Sequence, residues 1–345
     1  MTSDSATAPG PSPVTTLLVS RAFLAEYGDL LDQALAEAGK TVDRVLLPLG
    51  DEPPIPADVL ARIDVALLSR DVRFSPPHLD ALVKLVPKLP ALRWIHFGSS
   101  GASQYKWLQA LRDRGVQASS SVGANAEPVA QTAFMGLLML ARRAWIWTEQ
   151  QRRRQWLQQV EPHVPPDLAG QTIAIVGLGS IGQHVARYAA AFRLNVIGVR
   201  RTPRRADDTI AVIEPPSRLP DILPACDWLL LACPLTRETR GLVNTALLAK
   251  MKRGANLVNV SRGEVVDEDA LIAALESGHL GGAYLDVFRE EPLPVASPLW
   301  SLPNVVISPH NAAVAEGNNR RSAEIFTGNL VRFCRGEALI NVAPQ

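Results

Sequence analysis

Ile173-Ala174-Ile175-Val176-Gly177-Leu178-Gly179-Ser180-Ile181-Gly182 decides the fold. A short apolar run enters a G-x-G-x-x-G loop, and Gln183–Phe192 continues it with helical character. Strand before and helix after is the context a dinucleotide loop requires. Gly177 permits the tight turn, Gly179 lets the backbone approach a pyrophosphate, and Gly182 lets helix and strand pack closely. Ser180, Ile181 and Gly182 open the helix, where N–H donors and the positive dipole end favour an anion.

Downstream, Asn195–Val199, Asp227–Leu231, Ala255–Val260, Gly282–Asp286 and Val305–Ser308 read as further strands. They are mostly continuous apolar runs, as strands covered on both faces must be. With Ile173–Val176 they make six parallel strands, which suit a dinucleotide-binding fold.

Upstream lies a second alternating series. Thr15–Val19, Val45–Leu47, Asp64–Leu68 and Trp94–Phe97 read as strands, with helices at Arg21–Ala38 and near His78–Val86. Alternation of this kind implies a parallel sheet with helices on both faces. One long helix is expected over Val129–Trp156, carrying Trp145, Trp147 and Trp156. Its basic end, Arg152-Arg153-Arg154, reads as a solvated terminus where cations suit the dipole. The proline-rich Val160–Leu168 reads as a linker, and Glu316–Gly336 as the last helix. Met1–Pro13 reads as a disordered leader rather than a signal peptide. The expected fold class is α/β, with two doubly wound parallel-sheet domains.

Composition narrows the function. A chain of 345 residues, 47% hydrophobic, has room for two domains. A formal net charge of +1 gives no reason to expect nucleic acid or an anionic membrane as partner. No apolar stretch reaches the ~18–20 residues of a membrane span. Cys226, Cys233 and Cys334 show neither metal-ligand spacing nor a disulfide framework, so no metal is expected and a reducing cytoplasm fits.

Cofactor choice should be made where the strand after the glycine loop ends. An acid there would bind a ribose 2′-hydroxyl. This chain has Arg200-Arg201-Thr202 instead. A guanidinium can grip a 2′-phosphate bidentately, so NADP is favoured, with NAD as the alternative.

Hydride transfer to a ketone needs a cation to orient and polarise the substrate and an acid to protonate the developing alkoxide. Arg262 follows the strand that ends at Val260 and faces the ligand edge of a parallel sheet. His310 is the one histidine of six that follows a strand of the second series. A carboxylate beside it would favour the imidazolium form, and Glu291 can supply it.

These pieces together resemble the D-isomer-specific 2-hydroxyacid dehydrogenase family, in character the NADPH-dependent glyoxylate/hydroxypyruvate reductases. The resemblance rests on the glycine loop, Cys233–Asn244, Asn259–Leu271, Leu285–Pro294 and Ser308–Ala313, in family order. It implies that Arg262, Glu291 and His310 are catalytic. It implies a cofactor domain, Rossmann-type, over 119–312, inserted in a flavodoxin-like substrate domain of 14–118 and 313–345. Cys233, Pro234, Val260, Ser261 and Asp286 would line the cofactor. Ser99, Ser100 and Gly101 would hold the substrate carboxylate, with Arg70 and Asn125 beside the substrate. A small 2-oxo or 2-hydroxy acid and a homodimer are the partners it implies. Glu291 argues against the formate-oxidising branch, which carries glutamine there. Phosphite oxidation and a dinucleotide-sensing corepressor role stand as rival readings. Gln131 replaces the family's usual glutamate.

Overall fold

The computed structural model describes residues 15–99, 107–159, 164–204 and 208–343. The expected leader, part of the linker, Ser100 and Gly101 lie outside them. The chain divides into two compact units, 1–124 with 316–345, and 125–315.

In the first unit the order is β1 (Thr15–Val19), α1 (Arg21–Glu37), β2 (Val42–Leu46), α2 (Ala57–Leu60), β3 (Val65–Leu68), α3 (Arg70–Arg73), α4 (Pro76–Leu85), β4 (Trp94–Phe97), α5 (Leu108–Asp113) and β5 (Gln117–Ser120). The sheet runs β2-β1-β3-β4-β5, all parallel. This is the flavodoxin-like strand order. Its central strands are buried along their length, as their apolar runs demand. Ser20 caps α1 by accepting the N–H of Phe23 at 3.1 Å. β5 escapes a hydropathy reading because Gln117-Ala118-Ser119-Ser120 is polar, and a boundary after 118 would cut it. Its pairing register with β4 and a buried serine network hold it in place.

The second unit begins with α6 (Ala126–Ala141) and α7 (Ala144–Arg152). The single helix expected over Val129–Trp156 is therefore two. Arg143 takes a left-handed conformation, φ 52°, and ends the run after Ala141. The physical change at the break is burial: α6 is mostly covered, whereas α7 has no buried residue. Beyond it Arg152, Arg153 and Arg154 are exposed, and Arg153 pairs with Glu149 at 2.6 Å.

Then come β6 (Thr172–Val176), α8 (Ser180–Ala191), β7 (Asn195–Val199), β8 (Val212–Glu214), α9 (Leu219–Ile222), β9 (Trp228–Leu231), α10 (Thr245–Leu248), β10 (Asn256–Asn259), α11 (Glu268–Glu276), β11 (Gly282–Leu285) and β12 (Val305–Ile307). α12 (Asn318–Arg335) returns to the first unit. The sheet order is β12-β11-β10-β9-β6-β7-β8. Seven parallel strands replace the six expected. The extra edge strand β8 is only three residues long and half exposed, too short for a periodic signal. The order reverses at β6 and β9, which places the ligand crevice outside their carboxyl ends.

Candidate active site

The glycine loop is built as its sequence requires. Gly177 has φ +98°, and a Cβ there would lie 2.6 Å from the Cys233 nitrogen. A Cβ on Gly182 would lie 2.0 Å from the Gly177 carbonyl oxygen. Gly179, by contrast, has open space before it and caps α8. The first turn of α8, Ser180 to Gly182, thus presents its amide donors to open space, which fits a pyrophosphate. Beside the loop, burial pushes the Cys233 thiol up to about 11, so it stays protonated and reads as lining.

The end of β7 departs from expectation. Arg200 forks onto Asp208 at 2.8 and 2.5 Å and also donates to the carbonyls of Thr202 and Pro203. The two charged side chains are 13% and 12% exposed. An expected grip of Arg200 on a phosphate therefore competes with an internal ion pair. Among the described residues of this turn, Arg201 and Arg204 are exposed cations. Asp208 was not singled out, because it lies eight positions along the chain from its partner.

At the other half of the same sheet edge, three adjacent strands each lead to one expected catalytic residue. β10 leads to Arg262, β11 to Glu291 and β12 to His310. Asn259, buried at the end of β10, shapes the first loop. Its side-chain Oδ1 accepts from the Ser261 backbone and hydroxyl at 3.0 and 2.7 Å, and its side-chain Nδ2 donates to the Arg262 carbonyl at 3.2 Å. Arg262 itself is exposed and, among the described residues, donates to the Ser261 carbonyl at 2.6 Å, with further donors on its fork. Gly263 brings this loop against the next: a Cβ would sit 1.8 Å from the Phe288 carbonyl carbon.

Phe288 donates its backbone N–H to Glu291 Oε1 at 3.0 Å. The other oxygen, Oε2, lies 2.6 Å from His310 Nδ1. His310 adopts φ 53°, a left-handed conformation uncommon for any residue with a side chain. Its N–H donates to the Asp286 carbonyl at 2.9 Å. Asp286, expected to line the cofactor, has both carboxylate oxygens turned to the His310 loop. It accepts from the Ser308 hydroxyl at 2.5 Å and from the amides of Asn311 and Ala312 at 2.8 and 3.0 Å. Tyr284 lies 2.6 Å from that hydroxyl, its ring packed on Gly136 of α6.

In the first unit, Arg70 begins α3 and its guanidinium lies 5.3 Å over the Phe74 ring. Burial, then the charge of Arg73, lowers its proton affinity from the ordinary guanidinium value. The backbones of Arg70 and Gly98 touch, so Arg70 and Ser99 share one end of that sheet. Arg73, not singled out from sequence, donates to the Ser99 hydroxyl. Asn125 precedes α6 without capping it. Among the described residues no cluster of three or more His, Cys, Asp or Glu could hold a metal, and no helix is long and apolar enough to cross a membrane.

Residues 134–312 match the family model of the D-isomer specific 2-hydroxyacid dehydrogenase NAD binding domain. The chain belongs to the D-isomer-specific 2-hydroxyacid dehydrogenases. It is 34% identical over 295 residues to a glyoxylate reductase of Pyrococcus horikoshii, covering 84% of this chain and 86% of that one. It is 37% identical over 265 residues to glyoxylate/hydroxypyruvate reductase B of Citrobacter koseri, covering 76% and 81%. The structure of an NADPH-dependent glyoxylate/hydroxypyruvate reductase from Sinorhizobium meliloti, in complex with NADP and sulfate, superposes with a TM-score of 0.69 at 28% identity, covering 95% of this chain and 98% of that one. Family membership makes this dehydrogenase an oxidoreductase with a dinucleotide-binding domain.

Proposed function

We propose that this dehydrogenase reduces a small 2-oxo acid of the glyoxylate or hydroxypyruvate kind to the D-2-hydroxy acid with NADPH, NADH being the alternative donor. The observation that carries the reading is the 2.6 Å contact between His310 Nδ1 and Glu291 Oε2, on loops that follow adjacent parallel strands. The names of the relatives support the substrate class, and the NADP-bound relative supports the cofactor.

A dinucleotide held here would supply the hydride for the carbonyl carbon. The amides opening α8 hold its pyrophosphate, and Arg201 with Thr202 answers its 2′-phosphate. Arg262 directs its unspent donors to the substrate carboxylate and carbonyl, polarising the carbonyl. Glu291 holds His310 Nδ1–H, which fixes the ring and leaves Nε2 to donate its proton to the carbonyl oxygen as charge develops there. Atoms balance as one hydride to carbon and one proton to oxygen. The family resemblance also implies substrate contacts for Arg70, Asn125, Ser99, Ser100 and Gly101. The enzyme works in the cytoplasm as a homodimer, to which exposed Trp147, Trp156 and Leu157 contribute.

The test is loss of absorbance of NADPH, and separately NADH, with glyoxylate, hydroxypyruvate, pyruvate and phenylpyruvate. His310→Gln should lower kcat by about 10²–10⁴-fold while NADPH still binds. Binding of NADPH without turnover of any acid would favour the sensor role. Undiminished turnover in His310→Gln would remove the proposed acid.

A further inference from the structure

The last helix of the first unit reaches one peptide of the loop after β4. Ser322 of α12 is 5% exposed, and its hydroxyl donates to the Gly98 carbonyl at 2.8 Å, 224 positions away in sequence. A second contact, to Ser121 Oγ at 2.9 Å, competes for the same proton. A hydroxyl has one proton to give, so its neighbours decide where it goes.

Those neighbours form a chain of fixed direction. Trp94 Nε1, which can only donate, gives its proton to Ser119 Oγ at 2.8 Å. Ser119 therefore turns its own proton to His96 Nδ1, also at 2.8 Å. Burial pushes the His96 imidazole down to about 3, so the ring is neutral and its single proton sits on Nε2. Nε2 donates it to Ser121 Oγ at 2.9 Å. Ser121 Oγ is thus already an acceptor, and its own proton reaches the Ser322 carbonyl at 3.3 Å. The Gly98 carbonyl has no other donor among the described residues, and the Ser322 proton goes there.

Gly98 is held from its other side too. Its N–H donates to the Leu68 carbonyl at 2.8 Å, and a Cβ on it would lie 3.2 Å from backbone atoms of Leu68, Ser69 and Arg70. The Gly98–Ser99 peptide is trans, so its N–H points opposite to its C=O. With the carbonyl drawn to Ser322, the N–H of half-buried Ser99 is turned the other way, and it has no acceptor among the described residues.

We propose that Ser322 is a positioning residue for the substrate: by holding the Gly98 carbonyl it aims the Ser99 N–H at the carboxylate of the 2-oxo acid. The inference rests on the proposed reduction and adds to it a residue that acts through the backbone.

The experiment is steady-state turnover of glyoxylate, with whichever nicotinamide donor the wild type uses, in the wild type, Ser322→Ala and Ser322→Thr. Ser322→Ala removes the donor and little volume. An amide donor to a carboxylate acts in ground state and transition state alike, so its misalignment raises KM and spares kcat. KM for glyoxylate should rise about tenfold or more, the worth of one hydrogen bond to a charged group, with kcat and the dissociation constant for the dinucleotide nearly unchanged. Ser322→Thr keeps the hydroxyl and can place its methyl in a cavity of about 40 Å³ that Ser322 and Gly98 line, so its KM should stay close to that of the wild type. A loss of packing alone would lower Tm and leave KM in place. Wild-type KM in Ser322→Ala, an equal rise in both variants, or a fall in kcat at unchanged KM overturns the proposal. No turnover of any 2-oxo acid by the wild type would instead remove the reaction, and the positioning role with it.

Discussion

Asp286 closes the loop that carries His310. Its carbonyl accepts the His310 N–H at 2.9 Å, and its carboxylate gathers the Ser308 hydroxyl and the amides of Asn311 and Ala312. Asp286 is 2% exposed, so these donors have no water to turn to. Asp286→Asn keeps the shape but sets an NH₂ where Oδ2 now meets the Ala312 amide at 3.1 Å. One unmet buried donor costs ~1–3 kcal/mol, and an imidazole displaced by about 1 Å costs ~10²-fold in rate. The expected outcome is a kcat lowered 10- to 100-fold (by about that displacement cost) with the dissociation constant for NADPH nearly unchanged. A variant that instead lost NADPH affinity at full kcat would make Asp286 a cofactor ligand.

Gly263 sets the distance between the Arg262 loop and the Glu291 loop. Its Cβ position lies 1.8 and 1.9 Å from the Phe288 carbonyl carbon and oxygen, which are backbone atoms that cannot rotate away. Gly263→Ala must therefore part the two loops. Overpacking of this kind costs ~1–3 kcal/mol. Both Tm and kcat should fall, whereas Gly179→Ala, facing open space, should keep Tm and weaken dinucleotide binding. Wild-type kcat in Gly263→Ala would show that the spacing of the two loops is not critical.

The fold was legible where residues carry periodic or steric information. Buried strands such as Trp228–Leu231 and Leu285's strand announce themselves as unbroken apolar runs, and Gly177 and Gly182 announce a close approach. Arg262, Glu291 and His310 were singled out through motif order rather than through local chemistry, since each alone resembles an ordinary surface residue, and the structure sets the latter two 2.6 Å apart. The strands β5 and β8 were not legible, one because it is polar and the other because it has three residues. The break at Arg143 carries no glycine or proline to mark it. The supports of the site, Asn259, Asp208 and Arg73, act through contacts whose partners are chosen by the folded loops, and no spacing rule foretells them.

Arg200 and Arg201 stand side by side in sequence but should separate in function. Arg200 is a loop clasp, tied to Asp208 and two carbonyls, whereas Arg201 is exposed. Removing one partner of a largely buried ion pair costs ~3 kcal/mol. Arg200→Gln and Asp208→Asn should therefore both lower Tm and raise KM for NADPH and NADH alike. Arg201→Gln should leave Tm in place and raise KM for NADPH about tenfold or more, the worth of one charge-assisted phosphate contact, with KM for NADH little changed. Selective loss of NADPH in Arg200→Gln, with Arg201→Gln silent, would return the phosphate contact to Arg200.

The first unit should respond to acid through His96. Its ring is fully buried, with Nδ1 2.8 Å from Ser119 Oγ and Nε2 2.9 Å from Ser121 Oγ. Ser121 leads on to Ser322, whose hydroxyl donates to the Gly98 carbonyl at 2.8 Å, next to Ser99. Burial pushes the His96 imidazole down to about 3, from an unfolded value near ~6.5. Between those values the unfolded chain binds a proton that the native chain refuses. Stability is thus fully present above ~6.5 and falls as pH drops, by about 1.4 kcal/mol per unit, until the native ring titrates near 3. Other groups also titrate in this range, so the decisive quantity is the difference between proteins. Urea unfolding at pH 7.5, 6, 5 and 4 should show a steeper loss in the wild type than in His96→Gln. Parallel curves for the two would mean that His96 takes up its proton in the folded state, by opening the serine network that anchors Gly98.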